Sequence, residues 1–251
     1  MANLKDIVNF CNERVHLDSV SDFPGAENGL QIENSGNVNK IGAAVDAGQI
    51  PYEEAIKAGV DFLIVHHGMF WSPIRSISGK NYRKIKTAFD GNLAVYSSHL
   101  PLDAHQEIGN NKKLADALGL EVIDWFLQHE GTPIAALASF GGSTESLKEG
   151  LSKTFGNQFT AIEYGSREPS KIAILTGSGR SALSEMKSLG ADTLITGELR
   201  QEHFNLAQEE GFNLYVCGHY ATETFGVEAL GKEVAEKFNL PFEFIKTPCP
   251  L

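Results

Sequence analysis

Val60-Asp61-Phe62-Leu63-Ile64-Val65-His66-His67-Gly68 is the stretch on which the reading of this chain turns. An apolar run rich in β-branched residues stops at two adjacent histidines and a glycine. Such a run, bounded by turn chemistry, predicts a strand buried on both faces. Neighbours in one extended strand point to opposite faces, so two histidines share a site only where the strand ends. Gly68 is expected to turn the backbone there and let both imidazoles converge. In open α/β sheets, ligands bind at the carboxyl ends of strands. A lone His-His pair would read as two hydrogen-bonded loop histidines, and the rest of the chain changes that reading.

The surroundings follow strand–helix–strand grammar, which predicts a parallel α/β sheet. Leu4, Ile7, Val8, Cys11 and Val15 sit at helical spacing, and Asn28-Gly29-Leu30-Gln31-Ile32 reads as a turn feeding a strand. Ile41-Gly42-Ala43-Ala44-Val45-Asp46 is a short apolar strand. Pro51-Tyr52-Glu53-Glu54 then opens a helix, with proline in the first turn and acids near its positive end. After Trp71-Ser72-Pro73 come a loop, a basic helix near residues 81–89 and the strand Leu93-Ala94-Val95-Tyr96-Ser97. That strand stops at Ser98-His99-Leu100-Pro101-Leu102-Asp103, a histidine with a carboxylate four residues on. Alone, Asp103 would read as a helix cap. A helix over 110–118 and a strand over 122–126 follow.

Near residue 130 the pattern starts again. Residues 40–67 align with 171–198 at a constant offset of 131. Lys40/Lys171, Ile41/Ile172, Gly48/Gly179, Glu54/Glu185, Gly59/Gly190, Asp61/Asp192, Leu63/Leu194 and Ile64/Ile195 coincide. The second copy ends in Thr196-Gly197-Glu198 where the first ends in His66-His67. A strand over 213–217 then leads to Gly218-His219-Tyr220-Ala221-Thr222-Glu223, again with histidine and carboxylate four apart. The chain therefore reads as two related α/β halves. Gly177-Ser178-Gly179-Arg180 lacks the Lys-Ser/Thr of a nucleotide-triphosphate loop and the third glycine of a dinucleotide fingerprint, so a tight turn from strand to helix is expected, with anion binding as the minor reading. A helix over Thr224–Phe238 and a strand over 242–245 end the pattern.

A length of 251 residues allows one large or two smaller domains. The net charge of −11 argues against a generally basic nucleic-acid surface. Cys11, Cys217 and Cys249 are scattered without metal-ribbon spacing, which suits reduced thiols, and Cys217 reads as a small buried strand residue. No apolar run approaches the roughly 20 residues of a membrane span. The first residues lack the basic region and apolar core of a secretory signal. A cytoplasmic protein is the expectation.

His66, His67, His99, Asp103, His219 and Glu223 all follow buried strands. Imidazoles and carboxylates together suit borderline divalent cations such as zinc, iron, manganese, cobalt or nickel. Two such ions set against Asp103 and Glu223 leave about +2 of charge, which an anionic substrate can match. His16, His105, His129 and His203 fall outside these motifs and read as surface or supporting residues.

Val65-His66-His67-Gly68-Met69-Phe70-Trp71, Ser98-His99-Leu100-Pro101-Leu102-Asp103 and Gly218-His219-Tyr220-Ala221-Thr222-Glu223 together resemble the dinuclear-metal family of GTP cyclohydrolase 1 type 2 homologues, the YbgI-like proteins. Asn28-Gly29-Leu30-Gln31 and Thr196-Gly197-Glu198 also look like its pattern. The resemblance spans nearly the whole chain and its short form, without an extra central domain. It implies metal ligands at His66, His67, Asp103, His219 and Glu223, the last bridging, with His99 beside two divalent metal ions. His99 and Glu223 are the expected catalytic pair. It also implies two interlocking α/β domains with the dinuclear site at strand ends, and a ring-shaped homohexamer. Because His219 and Glu223 must reach His66, the metal-site domain is expected to comprise residues 1–127 and 212–251, with a second domain over 128–211 inserted. The expected activity is metal-dependent hydrolysis of GTP or another small anion; a non-catalytic metal-binding or regulatory scaffold is the alternative, and a nucleic-acid-binding ring is disfavoured by charge.

Overall fold

The computed structural model describes residues 1–71 and 76–249. Ser72 and Pro73, where the sequence predicts the loop after the histidine strand, lie outside the described residues. In chain order the main elements are α1 (Leu4–Arg14), β1 (Gly29–Ile32), β2 (Ile41–Asp46), α2 (Gln49–Lys57), β3 (Phe62–His67), α3 (Gly79–Asp90), β4 (Ala94–Ser97), α4 (Leu100–Asp103) and α5 (Asn110–Ala117). They continue with β5 (Glu121–His129), β6 (Thr132–Ser139), α6 (Thr144–Phe155), β7 (Thr160–Glu163), β8 (Lys171–Ser178), β9 (Thr193–Glu198), α7 (Glu202–Glu210), β10 (Asn213–Val216), α8 (His219–Thr222), α9 (Thr224–Phe238) and β11 (Phe242–Phe244).

Two compact units result. The first takes in Met1–His105 and Gly226–Thr247 and contains a five-stranded sheet of order β11-β2-β3-β4-β1. β2, β3 and β4 run parallel, β11 joins them in parallel, and β1 closes the other edge antiparallel. The continuous apolar runs reflect this: Leu63, Ile64, Val65 and Val95 are fully buried, as strands covered on both faces require. Leu63 and Val65 pack with Tyr52, Ala55 and Ala88 of α2 and α3.

The second unit takes in Gln106–Phe225 and contains a six-stranded sheet of order β5-β6-β8-β9-β10-β7. Its parallel strands β8, β9 and β10 again end in an antiparallel edge strand, β7. The internal repeat is visible in the register. Ile41 lies opposite Phe62 in the first unit, and Ile172 lies opposite Thr193 in the second. The same offset recurs in a side-chain contact: Lys40 Nζ donates to the Ala58 carbonyl at 2.8 Å, and Lys171 Nζ donates to the Leu189 carbonyl at 2.8 Å. Each lysine thereby satisfies a carbonyl at the end of the segment that joins the two strands.

The unit boundaries differ from those expected. They fall after His105 and after Phe225, instead of near 127 and 212. The reason is pairing: β5 forms a long hairpin with β6, and β10 is hydrogen-bonded between β9 and β7, so both stay with the second sheet. The predicted strand over 122–126 is correspondingly longer, spanning Glu121–His129. The second copy also lacks the expected α-helix. A short 3-10 helix, Arg180–Ser184, stands there. Ser184 Oγ donates to the Ser181 carbonyl and Ser188 Oγ to the Glu185 carbonyl, local bonds that compete with a regular helical ladder. No helix among the described residues is long and apolar enough to cross a membrane.

If the two lysines play equivalent roles, Lys40→Met and Lys171→Met should each lower stability by about 1 kcal/mol. Urea unfolding midpoints measure this, and a loss confined to one variant would break the equivalence.

Candidate metal centre

In the first unit, β3 and β4 stop beside one another and deliver His66, His67 and His99. One ring nitrogen from each lies within 4.8 Å of the others, close enough to share a cation. Strand β3 continues through both His66 and His67, with their ring centroids 4.9 Å apart. Gly68, expected to turn the backbone after the histidines, has no positive φ. Its backbone is ordinary, and it is needed for space: a Cβ there would lie 2.3 Å from Gln31 Nε2 and 2.6 Å from Ser97 Oγ.

Each histidine is held by its Nδ1. His66 Nδ1 lies 3.0 Å from the Ser98 carbonyl, which can only accept, so this nitrogen carries the proton. His67 Nδ1 lies 2.9 Å from Asp46 Oδ1, and His99 Nδ1 lies 2.8 Å from Asp22 Oδ1. With Nδ1–H committed, the lone pair of a neutral imidazole is left on Nε2, the arrangement in which carbonyls and carboxylates orient metal-binding histidines. Asp103, at the end of α4 and buried, brings Oδ2 to 3.4 Å from His66 Nε2. The donor set therefore fits a divalent transition metal.

The second unit places His219 and Glu223 on the turn of helix after β10. His219 Nε2 lies 3.2 Å from Glu223 Oε1, and its Nδ1 lies 3.3 Å from Glu198 Oε2. The hydrogen bond with Glu223 carries the His219 imidazole up to about 9 against the opposing effect of burial, with Glu198 adding to it. A cation taking that nitrogen must displace a proton. Glu223 is almost fully buried, and the glycines near the His219–Glu223 turn leave room for it. Gly177, at φ +62°, would place a Cβ 2.2 Å from Glu223 Oε1, while Gly197 would place one 2.7 Å from the His219 Cα. Gly177 N–H also donates to Thr222 Oγ1 at 3.1 Å. Gly177 and Ser178 are thus the end of β8, with Gly177 clearing a carboxylate, and Arg180 opens the 3-10 helix. Cys217 is buried within the core of this unit, which lifts its thiol to about 12.

Sequence reasoning missed the supporting carboxylates Asp22 and Asp46. Asp46 was detectable, since it ends β2 as His67 ends β3, and the two are register partners. Asp22, in a loop, carried no such signal. Its Oδ2 accepts from Asn28 Nδ2 at 2.8 Å and from the Leu100 N–H at 3.0 Å, while Asn28 Oδ1 accepts from the His99 N–H at 2.8 Å. Gln31 Oε1 accepts from the Met69 N–H at 2.6 Å and fixes the loop after His67. Phe23 and Trp71 both touch the His99 ring, at 5.9 and 4.9 Å between centroids, and both are substantially exposed.

Residues 2–250 match the profile of the Duf34/NIF3 (NGG1p interacting factor 3) family. The chain belongs to that family. It is 35% identical over 251 residues to a protein of Archaeoglobus fulgidus named GTP cyclohydrolase 1 type 2 homolog, covering 99% of this chain and 100% of that one. Among solved structures, TTHA1606 from Thermus thermophilus superposes with a TM-score of 0.90 at 34% identity, and the protein ybgI, described as of unknown function, with 0.91 at 32%; both cover 100% of each chain. This Duf34/NIF3 chain shares its fold with both at a level of identity where side-chain chemistry can be compared.

Two outcomes follow from the site's geometry. Gly177→Ala should keep the fold but push the Glu223 carboxylate aside, weakening metal affinity by roughly tenfold or more, as loss of a supporting contact does; elemental analysis of chelator-free preparations reads it. The second concerns Asp22. Burial acts to raise its carboxyl, but the His99, Asn28 and Leu100 contacts hold it down at about 2, against an ordinary 3.8. The folded value is the lower one, so the stabilisation is present above the ordinary value and lost as pH falls through about 2. Asp22→Asn should cost about 2 kcal/mol at neutral pH, with the gap to wild type closing in acid. Unfolding midpoints between pH 7 and pH 2 test the trend.

Proposed function

We propose that this protein is a cytoplasmic, ring-forming homohexamer whose His66, His67, Asp103, His219 and Glu223 hold two divalent transition metals, with Glu223 bridging. Its activity is hydrolysis of a small anionic substrate, GTP being the first to try. The observation that carries this reading is the Nδ1 anchoring of His66 and His67, which leaves their Nε2 lone pairs for a cation, with the His99 ring, anchored in the same way, close beside them. The naming of the Archaeoglobus relative supports GTP as the starting point.

A divalent pair supplies Lewis acidity and makes water acidic enough to ionise near neutral pH. The chain supplies the rest. Ser98, Asp46 and Glu198 orient His66, His67 and His219. His99 stands apart from the ligand set in role: with Nδ1 held by Asp22, its Nε2 is the atom that accepts a proton and returns it to the leaving group. Asp103 and Glu223 bring negative charge that favours cation uptake.

Protein purified without chelator, or reloaded with metal, should contain two ions per chain, with Asp103→Asn binding less and retaining the fold. Metal-reconstituted protein incubated with GTP and a panel of phosphoesters, with products followed by chromatography, should turn one of them over. Chelation or Glu223→Ala should reduce that turnover by at least about 100-fold. His99→Ala should slow it while sparing most of the metal. No turnover above the Glu223→Ala background would favour the metal-binding scaffold.

A further inference from the structure

The ligand set does not by itself select an anion. The surplus positive charge expected of two cations against Asp103 and Glu223 is offset by Asp46 and Glu198, against His67 and His219 of the set, and by Asp22 against His99. A preference for anions needs another source, and α3 holds one.

We propose that Lys84, with Lys80 beside it, is the anion-selecting residue of this centre, receiving a phosphate group of the substrate. The inference rests on the hydrolase reading above. In a chain of net charge −11, α3 is a basic helix carrying Lys80, Arg83, Lys84 and Lys86. Lys86 is matched by Asp90 at 2.6 Å. Lys84 has no ion pair among the described residues; its ammonium is partly buried and donates to the Ala47 carbonyl at 2.7 Å. Ala47 follows the strand end that holds His67. Its N–H donates to the His67 carbonyl at 2.8 Å, and the preceding residue, Asp46, anchors the His67 ring. An ammonium carries three donors, and one carbonyl leaves two of them to a ligand. Burial, then the charge of Lys80, hold Lys84 below its ordinary range. A part-buried lysine without an ion-pair partner among the described residues, one helical turn from a second lysine and bonded to the residue after Asp46, is a structural cost that a bound phosphate relieves.

The test uses metal-loaded protein and calorimetric titration with inorganic tripolyphosphate, GTP and guanosine. Lys84→Met should weaken tripolyphosphate and GTP binding by about tenfold or more, with wild-type metal content and melting behaviour. Guanosine binding should not change, and Lys84→Arg should retain most of the affinity. Lys80→Met, at an exposed position one turn from Lys84, should show a smaller loss in the same direction and carries the test if Lys84→Met unfolds. Unchanged affinity in Lys84→Met, equal weakening for guanosine, or no binding of either polyphosphate to wild type overturns the assignment. Turnover that depends on Glu223 but not on Lys84 would leave the hydrolase standing without this inference. Lys84-dependent binding without turnover would do the reverse.

Discussion

A parallel strand pair that ends in step governs this molecule. Because β2 and β3 run side by side in register, Asp46 stands next to His67, and a carboxylate orients the imidazole that a cation needs. That placement does not wait on loop ordering; it follows from the sheet. Asp46 keeps about half of its side chain in water (47%), so holding its charge at the strand end costs little, and strand pairing sets its position without a burial penalty. The strand end is therefore stable in a geometry already suited to a cation, which is what a preorganised site requires.

The second unit uses the same scaffold with different residues at the same positions. The sequence offset that carries Ile41 to Ile172 carries Asp46 to Gly177 and His67 to Glu198, but the register shifts between Leu175 and Ser178, so that Glu198 lies opposite Ser178. Where the first sheet ends in a carboxylate backing a histidine, the second ends in a glycine and a carboxylate. Glu198 then backs His219 from the adjoining turn of helix, and Gly177 leaves the volume that Glu223 occupies. The backing carboxylate has thus moved by one strand between the two copies. The histidine it supports has moved from a strand to the helix after β10.

Much of this was legible because hydrophobic periodicity and strand-end polar residues are local signals. The β2 and α9 boundaries follow directly from apolar runs and helical spacing, and the 131-residue offset reappears in backbone register. What was not legible depends on contacts distant in sequence. Nothing near residue 125 says that β5 will pair with β6 for its whole length and remain with the second sheet. Nothing near residue 22 says that its carboxylate will meet the ring of His99. The 3-10 segment at Arg180–Ser184 failed for a different reason: its serines bond to carbonyls three residues back, a competition that apolar spacing does not register.

The duplicated scaffold also accounts for where the candidate donors fall along the chain. A parallel β-strand ends with its last side chains alternating between two faces, so one strand end offers few donors to one point. Strand β3 supplies two histidines, and a short helix after the next strand supplies a carboxylate, Asp103, through α4. Repeating that second device in the other unit yields Glu223 through α8, with no need for a second His-His strand end. With no histidine at the end of β9, its terminal position is taken by Glu198, which lies against the candidate donor His219. A repeated strand pair, with a short helix after the strand that follows it, thus provides candidate donors and the groups that orient them in each unit.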